Sequence, residues 1–234
     1  AVEAGADMDM ESHLYVAELV NLVKEGKVDM KLVDDAVRRI LRVKFELGLF
    51  ENPYTDKSLI KLRFHSKENQ EVALEAAHKS IVLLKNQNQL LPLKKSGTIG
   101  LIGPLADAKE NMPGTWSVAT KMENAVSLLA GIKEVAGAGT KVLYAKGSNL
   151  DYDETFETNA TMFGKTLHRD SRSKEDLLAE ALKVAEQSDV IVAALGESAE
   201  MSGESSSRTN LEIPQAQKDL LNALLKTGKP VVLV

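Results

Sequence analysis

The period of the apolar positions changes along the chain. Through about residue 80 they recur at helical spacing, and from Thr98 onward short apolar runs alternate with helical stretches. Glu11 to Lys24 predicts a helix, with Leu14, Leu19, Leu22 and Val23 roughly on one side. Asp29 is a plausible N-cap for a second helix, Met30 to Leu47, whose stripe runs Val33, Val37, Ile40, Leu41, Lys44, Leu47. Gly48 follows as its C′ residue. Nothing else in the first 50 residues supplies a sheet for this hairpin to cover, so its partner is expected upstream of Ala1. Leu49 to His65 reads as a linker, broken at Asn52-Pro53, and Ser66 caps a third helix, Lys67 to Lys79.

Beyond this point strands are predicted at Thr98 to Gly103, Lys141 to Ala145, Asp189 to Leu195 and Pro230 to Val234. Helices fall between them at Asn124 to Ala136, Lys174 to Gln187 and Gln215 to Lys226. Ser173 fits an N-cap with Asp176 as capping-box partner, and Pro214 fits the first position of the last helix. Such alternation predicts the α/β class, a mostly parallel sheet with helices on both faces. Right-handed crossovers then put every strand's carboxyl end on one edge. Three loops leave that edge, Pro104 to Glu123, Lys146 to Arg172 and Gly196 to Pro214. All exceed the roughly 2–6 residues usual for such connections, and ligands of open α/β sheets bind there.

Composition narrows the function classes. The 234 residues are 44% apolar and 27% charged with net charge −5, so no basic excess marks a nucleic-acid partner. No apolar run approaches the roughly 20 residues that span a bilayer, so no membrane partner is expected. The absence of cysteine excludes disulfides and thiolate metal sites. His13, His65, His78 and His168 lack a paired ligand spacing, and no metal site is assigned to them. The chain starts at Ala1 and stops inside the apolar run Val231 to Val234, which reads as a buried strand, so an internal piece of a longer protein is expected.

Among motifs, Ile99-Gly100-Leu101-Ile102-Gly103-Pro104 lacks the third glycine and the immediate helix of a dinucleotide fingerprint; packing and a turn account for its glycines. Ser188-Asp189 lies at the amino end of a strand, away from the loop edge, and is rejected as a nucleophile site. Trp116, the only tryptophan, reads either as a packing plug or as a platform for a sugar ring. The loop Gly196 to Pro214 carries Glu197, Glu200 and Glu204 with five serines and Arg208; it reads as a solvated loop or as the site, and spacing alone does not choose between its carboxylates. Glycoside hydrolysis needs two carboxyl groups, and one loop supplies one reliably.

The pieces AVEAGADMDM, RRILRVKFELGLFENPY, AAHKSIVLLKNQNQLLPL, IGLIGPLAD, GTWS and GESAEMSGESSSRTNLEIPQAQKDLL occur in an order that resembles glycoside hydrolase family 3, of the periplasmic bacterial β-glucosidase type. The resemblance runs over nearly the whole chain and is weakest from Asp151 to Arg172. It implies that residues 1–50 end a (β/α)8 barrel, 51–70 form a linker, and 71–234 are a three-layer α/β sandwich incomplete at its carboxyl end. It implies retention through a covalent glycosyl-enzyme, with an Asp nucleophile in a Ser-Asp-Trp-like barrel motif that this sequence lacks. Ser202-Gly203-Glu204 and the following Ser205 to Arg208 match the family's acid/base loop, with Ser205 where the nearest relatives carry Ala. Glu204 is therefore the expected general acid/base, and Trp116 the expected aglycone-side binding residue. The implied substrate is an oligosaccharide or β-glucoside with a terminal β-D-glucosyl residue, without metal or organic cofactor, in a periplasmic parent. The chain alone, without the barrel as its partner, is expected to be inactive. The alternatives are a non-catalytic ligand-binding α/β module and a family member acting as β-xylosidase, phosphorylase or transglycosidase.

Overall fold

Four short runs rich in β-branched and aliphatic residues form one parallel sheet: β1 (Gly97–Ile102), β2 (Thr140–Ala145), β3 (Val190–Ala193) and β4 (Val231–Leu233), in the order β2-β1-β3-β4. The computed structural model describes residues 1–64, 66–117, 120–154, 169–204 and 206–234, with all their side chains except those of Lys61 and Glu200. Register is continuous across the sheet, with Ile99 opposite Val142 on one side and Val190 on the other.

The connections decide which face each helix covers. Helix α5 (Leu128–Ala136) joins β1 to β2, α6 (Lys174–Glu186) joins β2 to β3, and α7 (Gln215–Lys226) joins β3 to β4. The first step moves one way across the sheet and the next two move the other way. Right-handed crossovers therefore send α5 to one face and α6 and α7 to the other. Packing follows this division. Ile102, Ala145, Ile191 and Ala193 meet Ala181 and Ala185 of α6 and Leu220 and Leu224 of α7. On the opposite face Ile99, Leu101, Val192 and Ala194 pack with Leu129 of α5 and Ala106. The predicted α/β class, with a parallel sheet clad on both faces, is the class observed. The expected buried strand at the end of the chain is instead half-buried to exposed, because β4 is the outer strand of the sheet on its side.

Side-chain caps fix the helix ends. Serine hydroxyls accept from the amides of Asn69, Ala130 and Asp176 at the starts of α4 (Lys67–Ser80), α5 and α6. Helix α5 starts at Leu128 and not at Asn124: the 3-10 turn Met122–Asn124 closes at extended Ala125, and Ser127, itself extended, caps the helix by accepting from the Ala130 amide. Pro214, expected at the first helical position, is instead the N-cap of α7, and the helix begins at Gln215. The stretch read as linker holds a short helix, α3 (Ser58–Arg63), started by the Asp56 carboxylate accepting from the Ser58 amide at 2.9 Å. The polar composition after Asn52-Pro53 hid that turn.

The chain divides into two compact units, Ala1–Leu84 and Lys85–Val234. The first holds α1 (Leu14–Lys24) and α2 (Met30–Glu46), capped by Asp29 and ended by Gly48 in the left-handed region at φ 66°. Arg39 grips the Asp7 carboxylate with Nε at 3.0 and 2.9 Å and Nη2 at 2.7 Å, and this hydrogen bonding holds Asp7 below the usual carboxylate range. Only Val28 and Ala36 are buried among the described residues of this unit.

Candidate functional site

Chain direction reverses at the neighbouring strands β1 and β3, since the connection after β1 and the connection after β3 go to opposite faces. Such a switch point leaves a crevice at the carboxyl edge where ligands of open α/β sheets bind. The two loops that leave it, 103–127 and 194–214, carry Trp116 and Glu204. They separate under tight constraint. Gly103 sits at φ 142°, and a Cβ there would lie 2.1 Å from the Ala194 carbonyl oxygen, so only glycine fits the junction.

Further out, the loops are tied to each other. The Asn111 side chain accepts from the Ala199 amide at 3.0 Å. The Thr115 hydroxyl donates to the Ser202 carbonyl at 2.7 Å and also contacts the Ala199 carbonyl. Gly203 packs against the same threonine: a Cβ on it would come 2.8 Å from Thr115 Cγ2. Leu105 packs onto Met201 and Leu150 beneath these contacts. The residue after Thr115 is Trp116, 61% exposed, and the residue after Gly203 is Glu204, also exposed. The fold thus brings the two loops named from sequence to one mouth. Of the three loop glutamates, Glu197 is taken up in an ion pair with Arg208, which also donates to the Glu212 carbonyl at 2.9 Å. The Glu200 side chain and Ser205 lie outside the described residues. Glu204 is exposed and has no ion-pair partner among the described residues.

The root of the acid-rich loop is clamped from below by Gln217 of α7, whose side chain is wholly buried. Its Oε1 accepts from the Gly196 amide at 2.9 Å, and its Nε2 donates to the Gly196 carbonyl at 2.8 Å and the Leu150 carbonyl at 3.0 Å. One amide therefore secures the loops after β2 and after β3 together. Ser198, in the same loop, is buried with its hydroxyl unpaired among the described residues. Asn111, Thr115 and Gln217 escaped sequence reasoning. A side chain that bonds to backbone many residues away leaves no periodic or local signature; only GTWS itself pointed near Thr115.

A separate cavity of about 290 Å³ opens at the carboxyl end of β2, lined by Asp151, Tyr152, Arg172, Lys174 and Asp219 among others, and it contains neither Trp116 nor Glu204. Its charges satisfy one another. Arg172 pairs with Asp170 and Glu180 at 2.8 Å each, and Tyr152 donates to Asp219 at 2.8 Å with Lys174 over its ring. Partial burial, followed by that hydrogen bond, pushes the Tyr152 hydroxyl up to about 12. The crevice at the switch point is distinct from this cavity. Among the described residues no three His, Asp or Glu side chains gather into a metal-ligating group. His65 and His168 fall outside the described residues.

Comparison with known proteins bears on the family and the fold. The model of the glycosyl hydrolase family 3 C-terminal domain matches residues 81–234. A periplasmic beta-glucosidase of Salmonella typhimurium is 44% identical over 100% of this chain, which covers 31% of that protein. A beta-xylosidase of Formosa agariphila is 33% identical over 100% of the chain, again 31% of that protein. The crystal structure of a beta-glucosidase from Listeria innocua in complex with glucose matches 99% of the chain with TM-score 0.81 and 32% identity, covering 29% of that structure. The chain thus spans about a third of the length of the relatives it matches.

Proposed function

Because the chain belongs to glycosyl hydrolase family 3, we propose that it is the acid/base-bearing part of a longer retaining β-glycosidase. In this reading the full-length enzyme removes terminal non-reducing β-D-glucosyl residues from oligosaccharides or β-glucosides. The observation that carries it is the junction of the two loops at the switch point, where Thr115 binds the backbone just before Glu204. Residues 1–50 then end a (β/α)8 barrel, 51–70 link, and 71–234 belong to the α/β sandwich. The apolar side chains exposed on α1 and α2, Leu14, Val20, Val37 and Leu41 among them, support a barrel partner from the same parent chain. Periplasmic residence is carried over from the Salmonella relative. No helix among the described residues is long and apolar enough to cross a membrane.

Chemistry is divided between two walls. An Asp of the barrel attacks the anomeric carbon while Glu204 protonates the departing glycosidic oxygen; Glu204 then takes a proton from the water that releases the sugar. Retention asks for roughly 5–5.5 Å between the two carboxyls. Trp116 offers its exposed indole to the leaving group's sugar face. This sequence holds no Ser-Asp-Trp-like motif, so the isolated chain should show no turnover. β-Xylosidase activity is the second reading, favoured by the Formosa relative; the ratio of kcat/KM on matched aryl β-glucoside and β-xyloside separates the two.

The test is Glu204→Ala in the full-length protein. On an aryl β-glucoside with an activated leaving group, glycosylation should survive, steady-state turnover should fall by about 10²–10⁴-fold, and azide should restore it as a β-glycosyl azide. Turnover near wild type would remove Glu204 from the chemistry.

A further inference from the structure

A general acid works only when its proton sits within hydrogen-bonding reach of the leaving oxygen, and about 1 Å of misplacement costs on the order of 10²-fold in rate. Glu204 has no ion-pair partner among the described residues to orient its carboxyl, so its place is set by the backbone that leads into it. That backbone, Ala199 to Gly203, is held from one side by the loop after β1. Asn111 binds the Ala199 amide at 3.0 Å, and Thr115 binds the carbonyls of Ser202, at 2.7 Å, and Ala199. Thr115 is 9% exposed, and Gly203 has no room for a Cβ beside its methyl group. The hydroxyl has one proton for two carbonyls, and a valine in its place would fill the same volume with no donor at all.

We infer that Thr115 is a positioning residue for the acid/base: its hydroxyl holds the Ser202-Gly203 backbone so that the Glu204 carboxyl points at the leaving oxygen. The inference rests on the reading of Glu204 as acid/base. It also couples the two sides of the aglycone region, since the residue that fixes the acid loop immediately precedes Trp116.

A merely structural threonine and a positioning one differ in what their loss does to different substrates. Protonation matters for a poor leaving group and hardly at all for a highly activated one. Compare kcat/KM, which reports glycosylation, on phenyl and 2,4-dinitrophenyl β-glucosides in the full-length enzyme, with Glu204→Ala as reference. Thr115→Val should lose about tenfold or more on the phenyl glucoside and less than about threefold on the dinitrophenyl one, following the pattern of Glu204→Ala. Thr115→Ser, which keeps the donor, should stay within about threefold of wild type on both. Should Thr115→Val fail to fold, Thr115→Ala removes the same donor without filling the space of the side chain and should show the same selective loss. Equal losses on both substrates, or no loss, while Glu204→Ala keeps its selective signature, overturn the role of Thr115 and leave Glu204 standing. If Glu204→Ala shows no selective loss, the acid/base reading falls and the inference falls with it.

Discussion

Gln217 uses its one acceptor and both amide protons on backbone, and does so without solvent contact. Gln217→Leu keeps the volume, strands the Gly196 amide and carbonyl, and removes the tie to the Leu150 carbonyl. A loss of about 1–3 kcal/mol in urea unfolding is expected, since buried groups left unpaired bear their full desolvation cost. Unchanged stability would mean that water replaces the amide. Near it, Arg172 holds the Asp170 carboxyl down to about 2 from an ordinary 3.8, chiefly through its side-chain hydrogen bonds. A carboxyl depressed on folding contributes stability above its unfolded pKa, and that contribution is lost as pH falls from 3.8 through 2. Arg172→Ala should return the Asp170 titration toward 3.8, followed by carboxyl carbon NMR; an unmoved titration would show that the guanidinium is not the cause. None of these roles was legible in the sequence. Glu204 and Trp116 were singled out by resemblance to a family, while the residues that brace their loops make contacts that spacing does not encode.

Elements were more legible because their signals are local. Asp29, Ser66 and Ser173 cap the helices expected of them, and the last helix ends at Lys226 as its pattern predicts. Errors arose where a stronger local competitor acted, as Ser127 did at α5, or where polar composition concealed a single turn, as at α3. The strands were found from apolar runs, but their order across the sheet depends on which faces the helices bury, which no single run reveals. That order places the crevice between β1 and β3, and Gly103 is the point at which its two loops part. Gly103→Ala would drive a methyl into the Ala194 carbonyl. The expected cost is about 3 kcal/mol or more, above ordinary overpacking because the obstacle is backbone that cannot rotate away. Thermal unfolding of the variant checks it, and a wild-type midpoint would show that the strand ends shift freely.

At the scale of the whole molecule, burial is distributed very unevenly. In the unit Lys85–Val234, Leu101, Ile102, Leu177, Ile191, Leu220 and Leu224 are sealed between sheet and helices. In the unit Ala1–Leu84, Val28 and Ala36 alone are buried among the described residues, while Val16, Phe45, Val72 and the run Ile81 to Leu84 face solvent. Each buried aliphatic side chain contributes roughly 1.5–3 kcal/mol, so a unit with almost none relies on helix propensity and on ion pairs such as Arg39 with half-buried Asp7 and exposed Asp35. Helices of this length are marginal in water without tertiary packing. For this polypeptide, amide hydrogen exchange should therefore split in two. Protons of β1, β3, α6 and α7 should exchange through global opening, over hours or longer, and those of α1, α2 and α4 should exchange many times faster through local opening. In the full-length protein the slow class should extend to α1 and α2 once the proposed barrel covers their apolar side chains. Equal protection of both units in this chain alone would mean that the helical unit has found a cover of its own, and the case for a missing barrel would lose its physical support.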